Sequence, residues 1–326
     1  FALPILEQIE AYGVGATPAA SVGLWLSHGR EEDEGAARML LEEQIDFDVV
    51  RGPTDLGDFK VVVVPARAGA LAGAETAVAA YLAGGGKMLI LADGALSTTA
   101  DAFLAEVGAA FAGMRQTDID YTVVTDSLAS GLVRSPFLNY EAALRARPHP
   151  GTVILARIRE PFFSRTYAAY CGHQNTPYRA EDAEHPAALR HGNVIWLAHA
   201  LDRSYYRNGA KVHRRLFANA LRLLHTHPMA AAGLPSAGRI SLLHQPQFRR
   251  YVLHLLYGTP LQRGRCLVIE DLVPLRDVPV TLRLPVAVRQ VRLIPEGLPL
   301  APVEVDGALR VVVPEFACHC AVVAEY

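Results

Sequence analysis

The chain has 326 residues, of which 51% are hydrophobic and 20% are charged, and its formal net charge is -2 at pH 7. This length suffices for two hydrophobic cores, because single cores rarely grow beyond about 250–300 residues. The near-neutral charge argues against nucleic acid and against an anionic membrane surface as partners, since both attract basic patches. No apolar run approaches the roughly 20 residues that cross a bilayer, and residues 1–9 lack a signal peptide's charged start. Four cysteines do not make a disulfide framework, so we predict a reduced, cytoplasmic protein.

The first hundred residues alternate between strand and helix patterns. The chain begins at Phe1 and not at Met, which indicates either a processed or truncated chain or a missing upstream domain. Residues 1–10 have the pattern of the end of a helix that enters a new domain. The next predicted elements are strand Val22–Ser27, helix Glu31–Gln44, strands Phe47–Val50 and Val61–Pro65, helix Glu75–Leu82 and strand Met88–Ala92. Continuous apolar runs such as Val61–Pro65 are typical of parallel strands buried on both faces. This β-α-β-β-α-β order predicts a doubly wound α/β sheet.

The α/β domain is predicted to continue to residue 228. A helix is expected at Thr99–Phe111, because Phe103, Leu104, Val107 and Phe111 fall on one helical face. Further predicted elements are strands Tyr121–Val124, Thr152–Ile158 and Asn193–His199, and the amphipathic helix Lys211–His225.

The pattern changes after Pro228. Residues 229–238 are rich in Ala, Gly and Pro and are predicted to be a linker. Short strands then follow about every ten residues, at Arg239–His244, Arg250–Tyr257, Cys266–Leu272, Val280–Leu284, Val288–Ile294, Leu309–Val313 and Cys318–Ala324. Seven strands in residues 239–326 predict a small all-β sandwich.

Two patterns that suggest ligands have simpler structural interpretations. The Gly84–Gly86 run follows a helix and precedes a strand, the reverse of a phosphate-binding loop, so it is predicted to end the helix. Cys318 and Cys320 flank His319, but in a strand the cysteines face one way and His319 the other. We therefore predict packed strand residues there, with no metal site and no cofactor.

The catalytic sets that the chain could hold are incomplete. A nucleophile elbow needs Ser or Cys in a turn between strand and helix, whereas Ala92-Asp93-Gly94 follows the fourth strand. His199 ends a strand like a catalytic base but has no nucleophile to pair with. Asp118 and Asp120 are the nearest to a glycosidase carboxylate pair, and we expect both to be solvated. A (β/α)₈ barrel needs about 250 residues, so none fits before the sandwich. No catalytic residue is predicted.

One loop is rich in groups that recognise ligands. Arg165, Tyr167, His173, Gln174 and Asn175 combine a guanidinium, a phenol, an imidazole and two amides, which bind sugar hydroxyls by hydrogen bonding and stacking. We predict them to be substrate-binding residues. The alternative is a loop that packs against the helical layer or a neighbouring subunit.

Several segments carry a resemblance to known families. The stretch from Val22–Ser27 through Phe47–Val50 and Asp58–Pro65 to Gly84–Leu91 resembles the β-galactosidase trimerisation domain, a relative of class I glutamine amidotransferases that has lost their catalysis. Further segments resemble the C-terminal half of a group of bacterial glycoside hydrolases; they are Phe163–Tyr167, His173–Pro177, Asn193–His199, Tyr251–Tyr257, Val268–Asp271, Pro274-Leu275 and Pro295–Gly297.

This resemblance has consequences for fold and partners. It implies a flavodoxin-like or amidotransferase-like sheet over residues 1–228, followed by the sandwich. It also implies a catalytic barrel, as an upstream domain or a separate chain, homo-oligomerisation through the α/β domain, and a carbohydrate ligand. No catalytic carboxylate can be carried over, because the family keeps those in the barrel.

The function expected from these observations is that of an accessory and oligomerisation portion of a glycoside hydrolase, which contributes at most a loop to the sugar site. Two alternatives remain open. One is a free-standing sugar-modifying enzyme on an amidotransferase-like fold that uses His173 or His199. The other is a non-enzymatic carbohydrate-binding or scaffold protein.

Overall fold

A computed structural model describes residues 3–326; Phe1 and Ala2, part of the predicted incoming helix end, lie outside them. The chain forms two compact units. One contains residues 3–22, 40–48 and 227–326, and the other contains residues 23–39 and 49–226. This division groups residues 3–22 and 40–48 with the C-terminal segment, whereas the sequence predicts both within the α/β domain.

The described residues are mostly strand, with few helices. The helices are α1 (Leu3–Glu10), α2 (Arg30–Glu42), α3 (Glu75–Ala83), α4 (Leu201–Asn208) and α5 (Lys211–Leu224). The strands of the first 226 residues are β1 (Thr17–Pro18), β2 (Val22–Trp25), β3 (Phe47–Val50), β4 (Val61–Val64), β5 (Lys87–Leu91), β6 (Ala109–Gly113), β7 (Asp120–Val124), β8 (Phe137–Asn139), β9 (Arg145–Pro148), β10 (Val153–Arg159), β11 (Pro186–His191) and β12 (Val194–Leu197). Within residues 3–326, no helix is long and apolar enough to span a membrane.

The C-terminal residues add only strands. They are β13 (Ala230–Ala232), β14 (Arg239–Gln245), β15 (Arg250–Leu256), β16 (Leu261–Arg263), β17 (Cys266–Val268), β18 (Leu275–Leu282), β19 (Gln290–Ile294), β20 (Leu298–Leu300), β21 (Val303–Val305), β22 (Ala308–Phe316) and β23 (His319–Glu325).

A nine-stranded sheet contains the strands predicted for the first hundred residues. Its order is β3-β2-β4-β5-β12-β11-β10-β7-β8. Strand β5 pairs in parallel with β4 and with β12, whereas β12, β11, β10, β7 and β8 pair antiparallel in succession. All four residues of β4 and of β12 are buried, as expected for strands covered on both faces. The predicted β-α-β-β-α-β order is confirmed over β2 to β5.

The ends of α3 follow the sequence prediction. Gly84 is the C-cap residue, and its N–H donates to the carbonyl of Ala80 at 2.9 Å. The N–H groups of Gly85 and Gly86 donate to the carbonyls of Leu82 and Tyr81. The three glycines therefore satisfy the last carbonyls of α3 before β5 begins, which confirms that they end a helix.

The predicted helix at Thr99–Phe111 is wrong. Residues 97–108 run as turns and extended chain, with a bridge between Leu96 and Phe103, and β6 then begins at Ala109. Gly108 has φ +82°, and a Cβ at this position would lie 2.4 Å from the Cβ of His191. The helical spacing of apolar residues is instead satisfied by an extended chain, in which the Phe103 ring packs edge-on against Phe111 and Trp196.

The other unit contains two larger antiparallel sheets. One has the order β1-β14-β15-β23-β19-β20, and the other has the order β13-β18-β22-β21. Leu242, Leu253 and Val322 from the first sheet and Val280 and Val313 from the second belong to one buried cluster. Strand β13 lies within the predicted linker and pairs with β18, because its small side chains fit against this core.

The prediction of packed strand residues at 318–320 is confirmed for Cys320 and His319 and is wrong for Cys318, which is exposed, has φ +66° and precedes β23. Cys320 lies in the same buried cluster as Val322. His319 stacks on His254, with Nε2 of His319 3.0 Å from Nδ1 of His254. The alternation of a strand therefore separates the thiol of Cys320 from the imidazole of His319, as predicted.

Candidate functional site

A long connection between β10 and β11, residues 160–185, emerges from the antiparallel half of the nine-stranded sheet. Its base is closed by a bridge between Pro161 and Tyr178, and the N–H of Phe162 donates to the carbonyl of Pro177 at 3.0 Å. The phenol of Tyr121 donates to the carbonyl of Thr176 at 2.7 Å from β7. Long connections without secondary structure are commonly functional. We call residues 162–178 the recognition loop.

The recognition loop holds all the substrate-binding residues predicted from the sequence. Arg165, Tyr167, His173 and Gln174 are exposed, and Asn175 is half-buried. The guanidinium of Arg165 donates to the carbonyl of Gln174 at 2.5 Å, so the structure brings these two residues together. Their role in binding a substrate stays a prediction.

A polar cleft lies at the base of the recognition loop. Its volume is about 520 Å³, and its lining residues are Gln116, Arg145, Glu160, Arg179, Glu181, Asp182, Ala183, Glu184 and His185. Glu160 directly follows β10, and residues 181–185 lead into β11. Sequence analysis missed this site, although the charged run from Arg179 to His185 was a signal for it. We call this site the connection cleft.

The walls of the connection cleft are held by hydrogen bonds. Arg145 donates to Glu160 at 2.9 Å, and Arg159 donates to Asp182 at 3.2 Å. Arg179 donates to the carbonyls of Pro161 and Phe162. Such contacts hold the charged groups in place before any ligand arrives.

A buried polar cluster lies behind the cleft. A narrow hollow shares Gln116, Arg145, Glu160 and His185 with the cleft and reaches Asp120. The carboxylate of Asp120 accepts hydrogen bonds from the His199 ring, the Asn139 amide and the Ala143 N–H. The expectation that Asp120 is solvated is wrong, because β7 begins at this residue and its side chain is buried inside the sheet. Asp118, by contrast, lines a second hollow with Tyr140 and Glu141.

The carboxyl ends of the parallel strands, where open α/β sheets usually bind ligands, hold an ion-pair network. Arg203 donates to Glu32 at 3.3 Å, to Glu141 at 3.0 Å and to the carbonyl of Ala66 at 2.6 Å. Asp93 lies 3.5 Å from the same guanidinium. Burial of the guanidinium group lowers the pKa of Arg203. The nearby carboxylates of Asp93 and Glu141 raise this pKa by more, so the net shift is upward. A charged side chain therefore occupies this usual ligand position.

The turn after β5 has a strained backbone at Ala92 and carries no nucleophile at this position. Ala92 follows the strand directly with φ +36°, a strained value that non-glycine residues rarely adopt. A Cβ on Gly94, two residues later, would lie 2.4 Å from the carbonyl oxygen of Pro65, so the turn requires glycine there. Ala92 offers only a methyl group, and acyl transfer at this turn has no attacking atom.

Comparisons with known proteins were made over the whole chain. No family model and no curated protein matches it. Among solved structures, it has the architecture of part of a glycoside hydrolase, spanning about half or less of the enzymes concerned. It is similar over 100% of its length to α-L-fucosidase isoenzyme 2 from Paenibacillus thiaminolyticus, with a TM-score of 0.93 and 30% identity, and covers 51% of that chain.

Two β-galactosidases share the fold at lower similarity. The enzyme from Bacillus circulans sp. alkalophilus matches 99% of this chain with a TM-score of 0.59 and 13% identity, over 44% of its own length. The enzyme from Rahnella sp. R3 matches 96% with a TM-score of 0.55 and 12% identity, over 42% of its length. These matches confirm the predicted resemblance to a portion of a glycoside hydrolase.

Proposed function

We propose that this chain is the accessory and oligomerisation portion of a carbohydrate-active enzyme whose catalytic barrel is a separate domain or chain. The observation that carries the proposal is the similarity of the whole chain, at 30% identity, to only 51% of an α-L-fucosidase. The remaining half of that enzyme has no counterpart among these residues. Ala92, which stands in the turn after β5 and offers no nucleophile, supports a non-catalytic role for the portion that is present.

The finer fold assignment is part of this proposal. We assign residues 1–228 to an amidotransferase-like, doubly wound domain of the trimerisation type, residues 229–238 to a linker, and residues 239–326 to a β-sandwich. Residues 3–22, residues 40–48 and β13 of the linker group with the sandwich, so these bounds follow the order of the chain and not the two compact units. The parallel pairing of β5 with β4 and β12 supports the first assignment. The buried cluster between two antiparallel sheets supports the last. The four unpaired cysteines suit a reducing compartment such as the cytoplasm.

The recognition loop is the part of this chain that we assign to the sugar site. Arg165 and Tyr167 are exposed and extend from a base that Tyr121 and Thr176 hold in place. An anchored loop with exposed polar and aromatic groups suits insertion at the rim of a site on a barrel or on another copy of the chain. A homo-oligomer would supply that second copy.

A free-standing enzyme is less well supported. His199 is buried, and its Nε2 lies 2.7 Å from the carboxylate of Asp120. His173 is exposed, but none of the described hydrogen bonds joins its ring to a nucleophile or an acid. His199 thus has a carboxylate that could orient a base, but it is buried and no described hydrogen bond joins it to a nucleophile, and His173 has neither group beside it.

Turnover and mass measurements on the purified chain test the proposal. We expect no hydrolysis of p-nitrophenyl α-L-fucoside or β-D-galactoside, and light scattering should give a mass of at least two chains. The comparison variants are His173→Ala and His199→Ala, and the folding of each is checked by circular dichroism because His199 is buried. Hydrolysis by the parent chain that a folded variant loses would instead establish the free-standing enzyme.

A further inference from the structure

We propose that the connection cleft binds two adjacent hydroxyl groups of a neutral sugar. The carbohydrate ligand class rests on the proposed function. The site itself rests on Arg145, Glu160 and His185, which lie outside the recognition loop. The volume of about 520 Å³ falls in the range of small-molecule sites.

The orientation of His185 defines one side of the site. Its Nδ1 lies 3.0 Å from the carbonyl oxygen of Ala146. A carbonyl oxygen only accepts hydrogen bonds, so Nδ1 must carry a proton. In the neutral imidazole, Nε2 then has a free lone pair. His185 therefore presents a hydrogen-bond acceptor from a ring held in place by the backbone of β9.

Arg145 and Glu160 supply the complementary groups. One N–H group of the Arg145 guanidinium is engaged by Oε1 of Glu160, which leaves further N–H donors on Arg145 and the second carboxylate oxygen of Glu160. A hydroxyl group both donates and accepts. Two neighbouring hydroxyls can therefore donate to His185 and Glu160 while both accept from Arg145, and Gln116 offers an additional amide.

The charge of the cleft selects against anions. Of the four carboxylates that line it, Glu160 pairs with Arg145 and Asp182 with Arg159, whereas no described ion pair reaches Glu181 or Glu184, and Arg179 is the one further guanidinium group in the lining. A phosphate or a uronic acid would meet the carboxylates of Glu181 and Glu184, with only Arg179 to attract it. A metal ion is not the natural occupant either, because the described side chains include no group of three or more His, Cys, Asp or Glu placed to hold one. A neutral polyol remains.

The affinity should be modest. The residues that line the cleft include no Tyr, Trp or Phe, so a sugar ring gains no stacking partner there. Hydrogen bonds to a well-solvated ligand then supply nearly all of the binding, and we expect a dissociation constant on the order of 1 mM.

Titration of the whole chain, followed by amide chemical shifts, tests the proposal with D-galactose, L-fucose and D-galacturonate as probes. We expect saturable shifts at residues 181–185 with a neutral sugar and at least fivefold weaker binding of galacturonate. Glu160→Gln and His185→Leu should each weaken binding of the neutral sugar at least fivefold. Glu315→Gln, which alters an exposed carboxylate that pairs with Arg276 and does not line the cleft, is the matched control and should leave the dissociation constant unchanged. Tyr167→Ala is measured beside it as the variant of the recognition loop.

Three results would overturn the assignment. They are the absence of saturable shifts, equal binding of galacturonate, and binding that responds to Tyr167→Ala but to neither cleft variant. The last result would leave the recognition loop as the sugar-binding element and remove the cleft alone. If His185→Leu does not fold, Glu160→Gln decides by itself, because its side chain is partly exposed and its shape is preserved.

Discussion

Nε2 of His199 lies 2.7 Å from Oδ1 of Asp120, and both side chains are only 3% exposed. The two residues are 79 positions apart in the chain and meet because β12, β11, β10 and β7 are neighbours in the sheet. Asn139 and the N–H of Ala143 complete the hydrogen bonds of the Asp120 carboxylate. A histidine that resembles a catalytic base in the sequence is thus part of a structural cluster.

Replacing Asp120 by Ala should destabilise the fold strongly. The substitution leaves the His199 ring, the Asn139 amide and the Ala143 N–H without their acceptor, and several unsatisfied buried groups cost about 3–5 kcal/mol. Urea unfolding of Asp120→Ala, His199→Ala and the double variant measures the coupling. We expect the double variant to lose less than the sum of the single losses. A cost below about 1 kcal/mol for Asp120→Ala would contradict this structural role.

Arg203→Met should also destabilise the fold, by about 3–5 kcal/mol, because Glu32, Asp93 and Glu141 would face one another without their shared cation. Arg276→Met is the matched control. Arg276 is 70% exposed and pairs with Glu315 outside this network, so its loss should cost no more than about 1 kcal/mol. Equal effects of the two variants on urea unfolding would show that the network at the strand ends contributes little.

Tyr121→Phe should loosen the recognition loop. The substitution removes the 2.7 Å hydrogen bond to the carbonyl of Thr176 and leaves that oxygen buried, at a cost of about 1–3 kcal/mol. Hydrogen exchange at residues 165–175 should accelerate in Tyr121→Phe. In the exposed control Tyr167→Ala, both exchange and the free energy of unfolding should stay unchanged. Unaltered exchange in Tyr121→Phe would mean that other contacts anchor the loop.

The parts of the fold that sequence predicts best are those where one local pattern decides the structure. Val61–Val64 and Val194–Leu197 are short apolar runs, and burial on both faces is the arrangement that suits them. The helix prediction for residues 99–111 failed because it used the spacing of apolar residues alone. That spacing carries no information about the backbone at Gly108, which passes too close to His191 for a side chain.

Of the candidate site, the recognition loop could be predicted from the sequence, whereas the connection cleft could not. The composition of residues 165–175 draws attention because the polar and aromatic groups are consecutive in sequence. Arg145, Glu160 and His185 form no motif, and only the pairing of β10 with β11 and the position of β9 bring them to one cleft. Asp120 shows the same limit, since its burial depends on strands that are far away in the sequence.

His213 should make stability rise with pH between about 4 and 6.5. Burial lowers its pKa from 6.5 to about 4, and its ring is held between the Ser204 hydroxyl and the carbonyl of Leu138. Between pH 4 and 6.5 the His213 ring therefore binds a proton in the unfolded chain but not in the folded chain. The stabilising contribution is complete above pH 6.5 and is lost as pH falls, by up to about 1.4 kcal/mol per pH unit.

Comparison of the parent chain with His213→Gln isolates this contribution, because glutamine does not titrate. The difference in unfolding free energy between the two chains should shift in favour of the parent chain as pH rises from 4 to 6.5. A difference that is constant across this range would mean that the folded ring titrates normally.

Asp46 should give a dependence of the opposite sign. Burial raises its pKa from 3.8 to about 7, although one carboxylate oxygen accepts the N–H of Leu242 at 3.1 Å. Between these pH values the folded chain binds the proton that the unfolded chain has released, so the contribution of Asp46 is complete below pH 3.8 and is lost as pH rises through 7.

Asp46→Asn keeps an acceptor for Leu242 but cannot ionise. Urea unfolding from pH 4 to 8 should therefore show that the unfolding free energy of the asparagine variant rises relative to that of the parent chain, by up to about 1.4 kcal/mol per pH unit. If the difference in unfolding free energy between the two chains stays constant or changes in the opposite direction, the Asp46 carboxylate is solvated or paired in the folded state.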